Sequence, residues 1–404
     1  MLRNVPEPWL SIIKGIANPS FDETIAQIPN ADLPHLCPTE GNVMNVFRKT
    51  PWEALHTIIL GQDPYHSLMN NELDMPTPIA DGLAFSSKAT TTPPSLRNIF
   101  GALQKSNLIA TTPMINDLTM WCQHGVLLLN TALTTIDGTA EKHIKIWHPF
   151  VINLIREIIN RKHDQMTICL WGGKAQTLWK AVASPHPIEV LTYSHPSPLG
   201  NNKLPADQRF INCDHFTRIS VKNQRMNWNP MMRQLIFTDG SHSKKANSGG
   251  YAFVVFYGAF HGLVKYGTSP SPSTNQVSEG IALVKAIEFI NTHNLHNVLI
   301  ITDSQFYINV ITDWMYKWYA IDSSLSKKSD GEPIKNRQII MTLFKNWNMA
   351  KERNTMLEHV RSHQLEPSQT TREERIAYVK WYGNKLADQF AGMKPPTEQT
   401  KYAF

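Results

Sequence analysis

The stretch GQDPYH at residues 61–66 directly follows the apolar run TIIL at residues 57–60. A short β-branched run that ends in glycine and Asp-Pro is typical of a buried strand that breaks into a sharp loop. In open α/β sheets, loops at the carboxyl ends of such strands build the functional sites. We therefore expect Asp63 and His66 to lie at the edge of a sheet.

Three further apolar runs end in polar or Gly/Pro-rich turns. They are VLLL before Asn130, MTICL before WGG at 171–173, and EVLTY before SHPSPL at 194–199. Because such turns converge at the carboxyl ends of parallel strands, the four runs predict an α/β fold with one crevice.

Length and charge predict two domains and a polyanionic partner. The chain has 404 residues and a formal net charge of +6. Residues 1–228 carry 19 basic and 18 acidic residues, whereas residues 229–404 carry 20 and 15. A small basic excess suits nucleic acid but is also common on ordinary soluble proteins, so charge alone is only a hint.

The four cysteines, Cys37, Cys122, Cys169 and Cys213, show no metal-binding spacing. Since Cys169 lies inside an apolar run, core thiols are favoured over disulfides, and with them a reducing intracellular compartment. The sequence has no signal-like segment and no run of eighteen apolar residues, so we expect a protein that is neither secreted nor in a membrane.

The second half begins with LIFTDGS at 235–241, followed by strand-like runs at 251–256 and 261–266. Gly-rich turns between them predict an antiparallel meander with Asp239 at a strand end. A helix over 277–290, a buried strand over 297–302 before Asp303, and further helices follow. We expect a linker at Asn229-Pro230 and a mobile tail over 394–404.

Two more motifs, GLAFS at 82–86 and PPSL at 93–96, complete an ordered set. Residues 1–228 thereby resemble the family 1 uracil-DNA glycosylases. The resemblance implies a four-stranded parallel-sheet fold that hydrolyses the N-glycosidic bond of uracil in single- or double-stranded DNA and needs no cofactor.

The resemblance also implies roles for individual residues. Asp63 would stabilise the cationic sugar and position the water, while His195 would hydrogen-bond the uracil oxygen that gains charge, assisted by Gln62. The substrate-binding residues would be Tyr65, which excludes the methyl group of thymine, Phe85, which stacks on uracil, Asn130, which pairs with its edge, Ser95, which binds phosphate, and Leu199, which enters the gap in the duplex.

Each of these residues has a structural alternative when taken alone. Asp63 fits a turn, Phe85 a core, Asn130 a strand-end cap, and His195 a capping or surface histidine. Their occurrence together in six ordered motifs favours the functional interpretation.

Three departures from the family pattern keep a binding-module alternative open. Residues 67–81 form a longer link than usual, and Gly173 and Gly200 replace serines that supply phosphate contacts. In the alternative, the first domain is a catalytically weak DNA clamp or polymerase accessory.

Besides LIFTDGS, the second half contains TNQVSE at 274–279, TDSQ at 302–305 and GNKLAD at 383–388. With these stretches, residues 232–393 resemble type 1 ribonuclease H, a mixed sheet with helices. The resemblance implies that four acids, Asp239, Glu279, Asp303 and Asp388, bind two Mg²⁺ ions, with Mn²⁺ able to substitute, and that His363 helps the proton leave with the product. Scattered acids are otherwise usually solvated surface charges. The implied substrate is the RNA strand of an RNA–DNA hybrid.

Further contacts follow from the same resemblance. Asn275 and Gln276 would contact RNA 2′-hydroxyls, and Thr274 and Asn336 a DNA phosphate, near Pro272, where some relatives have a basic residue. The segment with Trp314, Trp318, Lys327 and Lys328 is either a hybrid-binding handle or core packing.

The combined prediction is a bifunctional DNA repair and replication enzyme, monomeric, with an unidentified replication partner. Its compactness and the PPSLRN stretch at 93–98 suggest a large DNA virus, and hence the host nucleus. A retroelement ribonuclease H is disfavoured because no polymerase motifs accompany it.

Overall fold

The computed structural model describes residues 1–71, 74–164, 166–198, 203–223, 226–243, 248–257, 260–271, 273–362, 364–368 and 372–392. Four residues discussed above, Leu199, Gly200, Pro272 and His363, and the expected tail at 394–404 lie outside this part. The chain forms two compact units, Met1–Met232 and Arg233–Phe404. The domain limits 1–228 and 232–393 stay predictions.

The first unit is built on a four-stranded parallel sheet, as expected. The strands of the whole unit, in chain order, are β1 (Leu36–Cys37), β2 (Thr57–Gly61), β3 (Leu68–Asn70), β4 (Pro76–Pro78), β5 (Val126–Asn130), β6 (Thr135–Ile136), β7 (Thr167–Trp171) and β8 (Glu189–Tyr193). The main sheet has the order β5-β2-β7-β8, and all its neighbours are parallel. Strands β2, β5 and β7 are buried along their whole length, which explains their unbroken apolar runs.

Helices cover this sheet. They are α1 (Glu7–Gly15), α2 (Phe21–Ala26), α3 (Asn45–Lys49), α4 (Pro94–Lys105), α5 (Thr119–Gln123), α6 (Ile144–Lys162), α7 (Gly173–Val182) and α8 (His215–Lys222). Helix α6 buries one apolar face, on which Val151, Leu154 and Ile158 are fully buried.

Within the long link at 67–81, two short strands pair as a small hairpin, which the sequence did not reveal. Strands β3 and β4 pair antiparallel, with Leu68 opposite Pro78. The backbone N–H of Lys88 donates to the carbonyl of Ile79 at 2.7 Å and ties the hairpin to the body of the unit.

The second unit contains a mixed five-stranded sheet. Its strands are β9 (Gln234–Ser243), β10 (Ser248–Phe256), β11 (Val264–Ser269), β12 (Val298–Thr302) and β13 (Met356–His359), in the order β11-β10-β9-β12-β13. The first three strands form the predicted antiparallel meander, and β12 is parallel to both β9 and β13. Strand β13 was not expected, because four half-exposed residues at a sheet edge give no clear alternation.

The helices of the second unit are α9 (Asn275–Thr292), α10 (Gln305–Asn309), α11 (Met315–Ile321), α12 (Arg337–Lys351) and α13 (Arg372–Ala391). A π-helical turn, Val310–Trp314, joins α10 to α11. Helix α9 packs on β9 and β10 from one side, and α13 packs on the same strands with a separate apolar cluster.

All four cysteines are buried free thiols, which confirms the core interpretation. Among the described residues, no helix has the length and apolar character needed to cross a membrane.

Candidate active sites

The first site lies where the parallel strands of the first unit end together. Gly61 ends β2 and pairs with Asn130 at the end of β5. A Cβ atom at Gly61 would lie 2.4 Å from Asn130 Oδ1 and 2.7 Å from Ala84 Cβ. The missing side chain at Gly61 therefore lets the buried Asn130 amide fold back over the strand end.

Asp63 is held in place by donors from two segments. Its Oδ1 accepts an N–H from the Gln62 side chain at 3.1 Å, and its Oδ2 accepts the backbone N–H of Glu141 at 2.6 Å. Burial raises the pKa of Asp63, the Glu141 carboxylate adds to this rise, and the two hydrogen bonds oppose it. The result is a fixed carboxylate with part of its hydration removed.

His195 is fixed as a neutral donor. Its Nδ1 accepts the backbone N–H of Ser197 at 3.0 Å, so the proton of the neutral ring is on Nε2. Burial, followed by the charge of Lys174, lowers the pKa of His195. The arrangement supplies an Nε2–H donor without a net charge.

Phe85 and Tyr65 form an aromatic wall beside these groups. The ring of Phe85 lies 5.2 Å from that of Trp171 and 6.0 Å from that of His195, measured between centroids. Its backbone φ of 66° is a strained value for a non-glycine residue, and such a conformation costs about 1–3 kcal/mol of folding free energy. The Tyr65 hydroxyl donates to the Phe85 carbonyl at 3.4 Å, which stabilises this conformation.

The neighbouring loops are tied to the same edge. The Asn98 side chain, on α4, donates to the Pro196 carbonyl at 2.6 Å. This bond links the His195 loop to the helix whose first turn carries the half-buried Ser95. Ser95 lies three residues before Asn98 on this helix.

The second site is a cavity of about 560 Å³ in the second unit. Its walls include all four predicted acids, Asp239, Glu279, Asp303 and Asp388. Asp303 directly follows β12, as predicted, whereas Asp239 lies inside β9 opposite Ala252 rather than at its end. The strand continues to Ser243 because it pairs with β10 along this length.

Glu279 reaches the cavity because α9 packs directly on β9. A Cβ atom at Gly240 would lie 2.1 Å from the backbone nitrogen of Glu279. Ser304 Oγ donates to Glu279 Oε2 at 2.6 Å, and the Asn275 amide donates to Oε1 at 2.8 Å. Glycine at 240 therefore sets the distance between helix and strand, and two donors orient the carboxylate.

The cavity concentrates negative charge. Burial raises the pKa of Asp239 to about 8, and the carboxylates of Asp303, Asp388 and Glu279 contribute to this rise. In the described part of the chain, no three His, Cys, Asp or Glu side chains gather around one point as a finished metal site. Hard oxygen donors with unbalanced charge nevertheless fit a divalent cation such as Mg²⁺.

The other predicted contacts of this unit divide between two places. Asn275 lines the acid cavity, whereas the Thr274 hydroxyl caps α9 by accepting the Val277 N–H at 3.2 Å. The Asn336 amide donates to Gln276 Oε1 at 3.4 Å, which places these two residues together.

Gln276 also lines a second cavity of about 620 Å³ with both tryptophans of the expected handle. Trp318 is 8% exposed and belongs to the core, while Trp314 packs against it. Of the two lysines proposed there, Lys328 lines this cavity, and the backbone of Lys327 forms an isolated antiparallel β-bridge with that of Pro333. The handle is thus partly core packing and partly a lysine-edged surface.

Comparisons with known proteins match both units. The uracil DNA glycosylase superfamily model matches residues 51–219, and the RNase H model matches residues 232–394. A uracil-DNA glycosylase from Francisella tularensis is 36% identical over 199 residues, which cover 48% of this chain and 83% of that protein. The chain belongs to the uracil-DNA glycosylase family in its first unit and to the ribonuclease H family in its second.

Two further similarities were found among known proteins. A uracil-DNA glycosylase from Neisseria gonorrhoeae is 38% identical over 184 residues, covering 45% of this chain and 76% of that protein. The crystal structure of mimivirus uracil-DNA glycosylase aligns at 24% identity with a TM-score of 0.48, over 55% of this chain and 86% of that one.

Two residues of the glycosylase unit were missed from the sequence. Lys174 and Glu141 form an ion pair, and Glu141 also accepts an N–H from Gln62 at 2.9 Å. Lys174 directly follows the Gly172–Gly173 turn, which is a usable signal, but nothing local marks Glu141.

Two residues of the ribonuclease H unit were also not predicted from the sequence. Asn384 and Trp381, on α13, line the acid cavity, and Trp381 Nε1 donates to the Gln364 carbonyl at 2.9 Å. Asn384 lies one helical turn before Asp388, so the period of the helix could have indicated it.

Proposed function

We propose that the chain is a bifunctional enzyme, which excises uracil from DNA with its first unit and cleaves the RNA strand of RNA–DNA hybrids with its second. The observation that carries the proposal is that each unit assembles its own set of reactive groups. Asp63 and the neutral His195 belong to one strand edge, and four carboxylates belong to one cavity.

In the glycosylase unit, bond cleavage puts positive charge on the sugar and negative charge on the leaving uracil. We assign the ionised Asp63 to the sugar and to the attacking water. His195 Nε2–H donates to the uracil oxygen that gains charge, since its Nδ1 is already occupied by the Ser197 N–H. The Gln62 side chain holds Asp63 in position.

Recognition of uracil is assigned to the surrounding side chains. The Asn130 amide can both donate to and accept from the edge of the base, and its buried place over Gly61 fixes its orientation. Phe85 stacks on the base, and Tyr65 excludes a 5-methyl group. Ser95 and Leu199 stay predictions as phosphate contact and wedge.

In the ribonuclease H unit, Asp239, Glu279, Asp303 and Asp388 would hold two Mg²⁺ ions, or Mn²⁺, which supply electrostatic stabilisation and a water nucleophile for phosphodiester hydrolysis. Asn275 and Ser304 orient Glu279 by hydrogen bonds. Gln276 and Asn336 lie together, as contacts to neighbouring strands of one hybrid would require. His363 stays a prediction for product departure.

The test uses two assays on one preparation of the full chain. We expect uracil release from a uracil-containing single-stranded oligonucleotide in buffer with chelator, and cleavage of an RNA–DNA hybrid only after Mg²⁺ is added. A folded protein that binds DNA but releases no uracil would contradict the glycosylase assignment and favour the DNA-clamp alternative. Hybrid cleavage that continues in chelator would contradict the metal assignment.

A further inference from the structure

An ion pair joins two distant segments at the glycosylase site. Lys174, in the first turn of α7, pairs with Glu141, which precedes it by 33 residues. The Glu141 carboxylate also accepts an N–H from Gln62 at 2.9 Å, and its backbone N–H donates to Asp63 Oδ2 at 2.6 Å. Glu141 therefore links Lys174 to the Asp63 carboxylate.

The same lysine lies close to the other reactive group. Its charge contributes to the lowered pKa of His195, although burial contributes more. Lys174 thus lies within electrostatic reach of both Asp63, through Glu141, and His195.

The pair is accessible and exchangeable. The side chains of Lys174 and Glu141 are 54% and 43% exposed. Exposed ion pairs contribute little to stability, whereas a lysine that binds a nucleic-acid phosphate also releases condensed counterions. Gly172 and Gly173 have no side-chain donor, so Lys174 is the first residue of this turn that can offer one.

We propose that Lys174 is a DNA-phosphate contact, which Glu141 holds in the free protein and releases when DNA binds. The proposal rests on the proposed uracil excision by this unit. A uridine held between Phe85 and Asn130 would carry a phosphate on each side, and we expect one of them to come within reach of the Lys174 ammonium. After the exchange, the Glu141 carboxylate keeps its bond to Gln62 and faces the DNA as a like charge that weakens binding.

Single substitutions at the two positions should act in opposite directions. K174M removes the cation and should weaken DNA binding about tenfold, with the slope of log K against log salt reduced by about 0.7 for single-stranded DNA. E141Q frees the lysine and removes the like charge, so binding should become tighter. The backbone N–H that holds Asp63 remains in E141Q.

The experiment measures fluorescence anisotropy of a single-stranded oligonucleotide that carries a tetrahydrofuran abasic site, titrated with the full chain between about 50 and 200 mM NaCl. The matched control is K180M, which removes the same charge from an exposed position in the last turn of the same helix. We expect K180M to match the wild type in both affinity and salt slope. Circular dichroism establishes that each variant is folded.

Equal weakening by K174M and E141Q would show that the pair is only a structural brace and would overturn the proposal. A wild-type salt slope in K174M would overturn it as well. Uracil release by the wild type is measured separately, so its absence would contradict the proposed function while the binding data still decide the role of Lys174.

Discussion

The two sites of this chain handle charge in different ways. In the glycosylase unit, the Asp63 carboxylate receives two N–H donors from the protein, and His195 is kept neutral by burial and by Lys174. In the ribonuclease H unit, four carboxylates line one cavity, and burial together with mutual repulsion raises the pKa of Asp239 to about 8.

The difference shows what each site needs from outside. A carboxylate that the protein itself solvates is ready to act on an electrophilic sugar as it stands. A cluster of carboxylates is electrostatically incomplete until cations enter, because each ionised group raises the cost of ionising the next. The glycosylase reaction should therefore be independent of metal, and hybrid cleavage should depend on it.

The largest effect should come from Asp239→Asn, which removes the most deeply buried acid of the cavity. We expect hybrid cleavage to fall by about 10³-fold or more, since a central oxygen of the proposed metal site is lost. Uracil release should keep its wild-type rate. Gel assays of both substrates with one preparation check this, and parallel losses in the two activities would contradict independent sites.

Asp63→Asn is the reciprocal change. It keeps the shape of the side chain but removes the charge that we assign to the sugar cation, so uracil release should fall by about 10²–10³-fold. Hybrid cleavage in Mg²⁺ should be unchanged. Single-turnover rates with excess enzyme give the comparison, and wild-type release by this variant would remove Asp63 from the mechanism.

The two packing glycines should differ in tolerance. An added Cβ at Gly240 would meet the backbone of Glu279, which cannot move without shifting α9, whereas at Gly61 it would meet the side chain of Asn130 and the Cβ of Ala84. Gly240→Ala should cost about 1–3 kcal/mol and reduce hybrid cleavage, and Gly61→Ala should chiefly reduce uracil release.

Thermal unfolding and both activity assays measure these effects. Gly41→Ala is the matched control, because a Cβ there has no heavy atom within 4 Å. Full activity of Gly240→Ala would show that the helix adjusts without affecting the cavity.

The smallest effect should be on the acid side of the pH profile for uracil release. Burial and Glu141 raise the pKa of Asp63, and the proposed mechanism needs this carboxyl group ionised. Activity should therefore be present above this pKa and be lost as the pH falls through it. Glu141→Gln removes one cause of the rise and should move the acid limb to lower pH.

Lys174→Met should move the same limb in the other direction. Its charge lowers the pKa of His195, which faces the Phe85 ring and the Ser197 N–H and must stay neutral to keep that N–H bond. Without the charge, protonation begins at higher pH. The profile of kcat/KM against pH for both variants tests the opposite signs, and shifts of one sign would contradict the assignment.

Much of the fold could be read from local patterns. The runs before Gly61, Asn130 and Trp171 are unbroken because both faces of the sheet are covered there. The structure confirms these three and the more exposed run before Ser194 as parallel strands. The antiparallel meander was also correct. The hairpin at 67–81 and strand β13 were missed, because short, half-exposed strands show no clear period.

The chemistry of the sites divides in the same way. The sequence by itself determined which reactive residues stand at strand ends, because apolar runs and turn residues are local signals. Only the tertiary structure decided which nitrogen of His195 carries the proton, that Asp239 lies within a strand, and that Lys174 meets Glu141. The His195 bond spans only two residues but needs the folded loop to form. The other two features depend on strand pairing and on charge between separate segments, which no local pattern records.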